Sequence, residues 1–231
     1  MDSEAYLSKP RTLQFWASTF VVLPVFVQAP WVHIYPFSAL LFTVVLVTLG
    51  FTLVQFCSER YTNIGSLLVG VSGSWLGGCL FWGWLRAFPI WHLPVESIAL
   101  PFALIGLNTR WRLGSGFYLA SLLGTACTDL MIVLTGVMKS WPYVVNASFQ
   151  KASDQLHQTA LELLSIEKIF LLLLAGFLLV FIAYLMNKKA SLNLTFQSTW
   201  LVASAALITT LWVDGLFLLT TLFQPQLSGL I

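Results

Sequence analysis

From Arg11 to Glu59 the chain carries no intervening Lys, Arg, Asp or Glu, and apolar positions fill most of that interval. A helix needs about 20 apolar residues to cross the hydrocarbon core, so the run has room for two spans. Pro24, Pro30 and Pro36 punctuate it, and "QAPWVHIYP" is expected to form the turn between a first span near 12–29 and a second near 37–57. A third span follows near 64–85. The next apolar stretch, "AFPIWHLPVESIALPFALIGLNTR", is broken by Pro89, Pro94 and Pro101. It predicts either a tilted fourth span over 89–108 or a re-entrant half-helix over about 95–108. Further spans are expected at 113–138, 168–187 and 199–223. The pattern predicts an all-α fold, a polytopic transmembrane helical bundle of seven spans, six if the fourth is re-entrant. All 231 residues are expected to form a single integral membrane domain.

One connection has a different pattern. Between Asn146 and Glu167, Phe149, Ala152, Leu156, Ala160 and Leu163 recur at spacings of three and four. Lys151, Asp154, Gln155, Gln158 and Glu162 share the other side, and His157 belongs with these solvated positions. That period predicts an amphipathic surface helix over about 147–166.

Composition agrees with the pattern and narrows the function. Hydrophobic residues make up 58% of the chain and charged residues 9%, against about a quarter charged in soluble domains, so a lipid bilayer is the expected solvent. A net charge of +2 without a basic patch excludes nucleic acid as a partner. Cys57, Cys79 and Cys127 lie in separate apolar runs and lack metal-ligand spacing. The chain has no HExxH, GxSxG or phosphate-binding loop, and no enzymatic activity is expected. Retinal chemistry is excluded because the seventh span contains no lysine.

Basic flanks set the expected orientation. With the N-terminus in the cytoplasm, Lys9, Arg11, Arg60, Arg110, Arg112, Lys188 and Lys189 fall inside, while Arg86, Lys139, Lys151 and Lys168 fall outside. Two ladders of small residues predict close packing. Ser66, Gly70, Ser74 and Gly78 in the third span are expected to meet Gly116, Ala120, Gly124 and Thr128 in the fifth.

The candidate chemistry lies in the few charges within this apolar pattern. Asp129 in the fifth span, Asp214 in the seventh and Glu96 in the fourth are acids at positions where an unpaired charge is costly. The predicted topology brings them toward the outer half of the membrane, together with Arg86, His33 and His92. Arg86 is the expected counter-charge for Asp129. Each aspartate is a candidate either for function or for a structural hydrogen bond to a neighbouring helix.

The blocks "VLPVFVQAPWVHIYP", "GSWLGGCLFWGWLRAFPIWHLPVESIALPFAL" and "FYLASLLGTACTDL" resemble an uncharacterised family of cyanobacterial multi-pass membrane proteins, domain-of-unknown-function family 3120. The resemblance implies a thylakoid or plasma membrane location and carries over no catalytic residues. It suggests an accessory or assembly factor of a photosynthetic pigment-protein complex, with photosynthetic membrane-protein subunits as partners. His33 and His92 are then candidate ligands of chlorophyll, and carotenoid is the other pigment expected. The alternative is a small secondary transporter that uses Asp129, Asp214 and Glu96 as a proton or cation relay.

Overall fold

The computed structural model describes residues 10–223 and, among them, contains only helices and their connections. Lys9, one of the basic flanks expected inside, lies outside the described residues. Among the described residues seven helices are long and apolar enough to cross a membrane, as expected for a multi-pass membrane protein. In chain order the helices are α1 (Pro10–Ile34), α2 (Pro36–Phe56), α3 (Tyr61–Leu85), α4 (Pro89–Gly106) and α5 (Arg112–Leu134). The shorter α6 (Trp141–Asn146) and α7 (Phe149–Glu162) follow. Two further spans, α8 (Ile166–Leu192) and α9 (Leu194–Phe223), complete the bundle.

Three departures from the expected boundaries have local physical causes. The first helix does not end at "QAPWVHIYP" but continues through Pro30 to Ile34. A π-helical turn over Pro24–Gln28 lets the Ala29 N–H reach back five residues to the Pro24 carbonyl. That re-phases the ladder just before Pro30, whose missing N–H would otherwise break it. The turn falls instead at Tyr35, where φ is −136°. The fourth segment is a helix in pieces: a 3-10 turn at Pro89–Trp91, α-helix at His92–Glu96, a second 3-10 turn at Ser97–Ala99, then α-helix at Leu100–Gly106. The fifth helix stops at Leu134 rather than 138, because Gly136 takes a left-handed φ of 82°. Asp129 is therefore five residues from the helix end, about 7.5 Å along the axis at 1.5 Å per residue.

Small residues set the packing, in part with the partners expected. Gly50 and Gly65 bring α2 and α3 together, since a Cβ on either would lie within 2.8 Å of the other's carbonyl oxygen. α3 meets α5 at Gly70, where a Cβ would fall 2.3 Å from the Gly114 carbonyl oxygen. There the Gly114 N–H donates to Ser66 Oγ at 2.9 Å. The predicted ladder on α5 faces α9 instead of α3: Gly116 sits against Thr199 and Gly124 against Thr210. α5 thus presents one small stripe to α3 and another to α9, which places it between them. Leu67, Val71, Trp75, Phe117, Val202 and Ala206 fill the space where these helices meet.

α8 packs on α9, through Leu179 and Ala183 against Leu207, through Asn187 Nδ2 donating to Ser204 Oγ at 2.9 Å, and through Ser204 Oγ donating to the Ala183 carbonyl at 3.1 Å. The amphipathic helix α7 buries Ala152, Ser153, Leu156, Thr159 and Ala160. Its His157 is not simply solvated: Nδ1 donates to the Thr221 carbonyl at 2.9 Å, which ties α7 to the last turns of α9.

Candidate functional site

The broken helix α4 owes its position to contacts from α3 and α5. Tyr118 on α5, almost wholly buried, donates its hydroxyl to the Glu96 backbone carbonyl. On α3, Gly77 leaves room for the same residue, since a Cβ there would lie 2.7 Å from Glu96 Cα. Gly73 makes similar room against Ala99 and Tyr118. The chain around Glu96 is thus pinned by a hydroxyl on one side and accommodated by missing side chains on the other. The "GG" of Gly77 and Gly78 signals this close approach, but only Gly78 belongs to the predicted ladder.

Within His92–Glu96 the two end residues are one helical turn apart and face the same way. His92 Nε2 lies 3.3 Å from Glu96 Oε1, and Nδ1 lies 2.9 Å from Asp129 Oδ1 on α5. One imidazole therefore bridges two carboxylates on two helices. Phe81, buried at the end of α3, packs its ring 4.3 Å from the imidazole and holds its plane. Asp214 on α9 completes the group: its Oδ2 accepts from Thr128 Oγ at 2.5 Å, and Thr128 precedes Asp129 in the chain. The stripe of small residues on α5 that packs along α9 ends at this contact.

Four of the six candidate residues, His92, Glu96, Asp129 and Asp214, fall along this line of contacts. Arg86 does not. Its Nη1 donates to His33 Nδ1 at 2.6 Å, and its backbone carbonyl accepts from Trp141 Nε1 at 2.8 Å. Among the described residues Arg86 makes no ion pair, and the counter-group at Asp129 is His92. The expectation failed because the sequence pattern does not fix which face of the broken fourth helix meets α5; the short α-helix over His92–Glu96 aims His92 at it.

The same geometry bears on the two histidines as pigment ligands. Binding a chlorophyll magnesium takes an imidazole nitrogen with a free lone pair. His33 Nδ1 accepts from an arginine, so its Nε2 carries the proton. Both nitrogens of His92 face carboxylate acceptors. In this arrangement neither ring presents a lone pair to a metal. Among the described residues, no group of three or more His, Cys, Asp and Glu side chains is arranged to hold a metal ion.

A buried residue outside the expected set deserves a place beside these. Gln28, at the π turn of α1, donates from Nε2 to the Trp75 carbonyl and contacts Cys79 Sγ at 3.1 Å. It fills the hollow over Gly78. An uncharged amide in an apolar run gives little sign in sequence that it is buried and paired.

Chemically, the arrangement joins groups that all exchange protons. Fully ionised, one imidazolium against the carboxylates of Glu96, Asp129 and Asp214 would leave two uncompensated negative charges within the spans. Such charge is expensive in a low-dielectric setting. His92, Glu96 and Asp129 are mostly but not wholly covered, with 22, 17 and 15% of their side-chain surface exposed.

Comparison with curated proteins and with solved structures finds no match to this chain. A family model described as "Protein of unknown function (DUF3120)" matches residues 17–222, nearly the whole bundle and every residue of the site, and the chain belongs to that family.

Proposed function

We propose that this protein is a small proton-linked membrane transporter, not an enzyme, in which His92, Glu96, Asp129 and Asp214 hold and pass protons. The observation that carries the reading is His92, one imidazole bridging carboxylates from α4 and α5. A titratable bridge between two spans links protonation to the relative position of those spans. The pieces of α4 favour the same reading, because interrupted helices are a recurring setting for ion and substrate sites in transporters. When His92 is protonated it draws both carboxylates together; when it loses a proton, one carboxylate loses its partner and the helices are free to part.

Purified protein in liposomes carrying an internal pH-sensitive dye tests this. A potassium diffusion potential should drive proton entry in the wild type and much less in Asp129→Asn and His92→Gln. Flux undiminished in both variants, with the protein folded, removes the relay.

A second reading keeps the protein as an accessory or assembly factor of a photosynthetic pigment-protein complex in a cyanobacterial thylakoid or plasma membrane, its N-terminus in the cytoplasm. The family resemblance motivates it, and the broad apolar faces of α2 and α8 offer surface for membrane-protein subunits: Phe37, Leu41, Phe170 and Phe177 are each at least 65% exposed. Under this reading chlorophyll or carotenoid binds without His92 as ligand. Purification from a native host with a visible spectrum and identification of co-purifying subunits tests it; a colourless preparation free of partners counts against it.

A further inference from the structure

Far from the His92 group, where the α4–α5 turn meets the α8–α9 turn, several positive charges gather. Arg112 lies over the Phe196 ring at 5.2 Å, Lys189 over the Trp200 ring at 4.9 Å, and Arg110 over the Trp111 ring at 5.8 Å. Phe196 and Trp200 are four residues apart at the start of α9, so Arg112 from α5 and Lys189 from α8 flank one aromatic stripe. Trp111 is itself stacked on Phe51 of α2 at 5.9 Å. Lys188 is exposed beside Lys189. Among the described residues none of these four cations makes an ion pair.

Aromatic faces stabilise the cations without using their N–H donors, because the attraction is to the ring quadrupole. The donors stay available for an anion. The surroundings say what kind of anion: Leu192 and Leu194, 76 and 79% exposed, lie at the α8–α9 connection just beyond Lys189. An anionic head for the cations and an apolar tail for the leucines describe a single molecule, an acidic membrane lipid. Basic residues at the ends of spans attract such lipids, each contributing on the order of 1 kcal/mol.

We propose that Arg110, Arg112, Lys188 and Lys189 form a binding surface for the phosphate headgroup of an anionic lipid, seated between α5, α8 and α9. The surface is independent of the proton relay.

Native mass spectrometry of detergent-solubilised protein with equal phosphatidylglycerol and phosphatidylcholine provides the test. Wild type should retain phosphatidylglycerol preferentially, and Arg112→Gln/Lys189→Gln should lose roughly twenty-five-fold in that preference, near fivefold per charge. Arg86→Gln, at the opposite end of the bundle, should keep it. The milder Arg110→Gln/Lys188→Gln removes charge from exposed positions and gives the same reading if the first pair does not fold. Equal retention of the two lipids by wild type overturns the proposal, as does a preference that survives both double variants. Inorganic phosphate should not displace the bound lipid; displacement at millimolar phosphate would mean a free-anion site and overturn the lipid assignment.

Discussion

α3 and α8 are both long apolar helices, yet they relate to the bundle in opposite ways. Of the most apolar window in each, 61% is buried in α3 and 17% in α8, although α8 is the more hydrophobic of the two. In water the order would be reversed. In a bilayer, lipid solvates leucine as well as another helix does, so hydrophobicity alone gives no reason to pack. α8 presents Phe170, Leu173, Phe177 and Phe181 outward and packs mainly along one side, on α9, through Leu179, Ala183 and the Asn187–Ser204–Ala183 hydrogen bonds. α3 is rich in Gly and Ser, and its backbone comes within reach of α2, α4 and α5. The difference teaches that close approach of backbones, not apolar content, marks the centre of this molecule.

The sharpest way to break that contrast is at the α3–α5 crossing. A Cβ at Gly114 would fall 1.9 Å from the Ser66 carbonyl oxygen, and backbone on both sides cannot give way locally. Gly114→Ala should cost about 3 kcal/mol or more, read as a large loss of unfolding temperature and of accumulation. Near-normal stability in this variant would mean that the helices sit farther apart than described.

The α5–α9 contact should respond less and be repairable. At Gly124 an added Cβ would meet only the Thr210 side chain, at 2.7–2.9 Å. Gly124→Ala is expected to cost about 1–2 kcal/mol in detergent unfolding, and Thr210→Ala in the same chain should recover most of it. Additive losses in the double variant would show that the two residues do not share a contact.

Asp129 ranks next, and it separates glue from chemistry. Asp129→Leu removes the partner of His92 Nδ1 and should cost about 1–2 kcal/mol, while Asp129→Asn keeps an acceptor and should cost under about 1. Proton flux measured on the Asn variant should nevertheless be lost. Equal unfolding temperatures for Leu and Asn would show that the His92 contact contributes nothing to holding α4 against α5.

Much of this architecture was legible because the bilayer imposes it. Seven apolar runs of spanning length, and a polar stretch with helical period at Phe149–Glu162, follow from solvation alone. What one chain's pattern does not carry is which helix faces which. The Gly116–Gly124 ladder was readable as a packing stripe, but its partner is α9, and nothing in the spacing distinguishes one neighbour from another. Backbone re-phasing was equally hidden: the π turn that carries α1 past Pro30 and the 3-10 turns that aim His92 at Asp129 depend on contacts from other helices. The acids of the site were visible because charge in an apolar run is rare. Their imidazole partner was a named candidate, but its role at Asp129 went to Arg86, since the pattern of α4 does not say which side of it faces α5.

The smallest expected effect tests the other side of the comparison. Gly176 lies midway along α8, and an added Cβ there would meet only Leu211 Cδ1, at 3.8 Å, an ordinary van der Waals distance. Gly176→Ala therefore introduces no clash and removes the backbone freedom that glycine carries in a helix, a gain of up to about 1 kcal/mol in soluble helices and less where lipid already favours helix. Unfolding temperature should stay level or rise slightly. A loss comparable to that of Gly124→Ala would mean that α8 presses a small face against something other than α9, and a second copy of the chain would be the first candidate. Crosslinking in native membranes through a cysteine placed at Phe177, which is 69% exposed, would then give a dimer; if α8 faces lipid, the same cysteine should yield monomer alone.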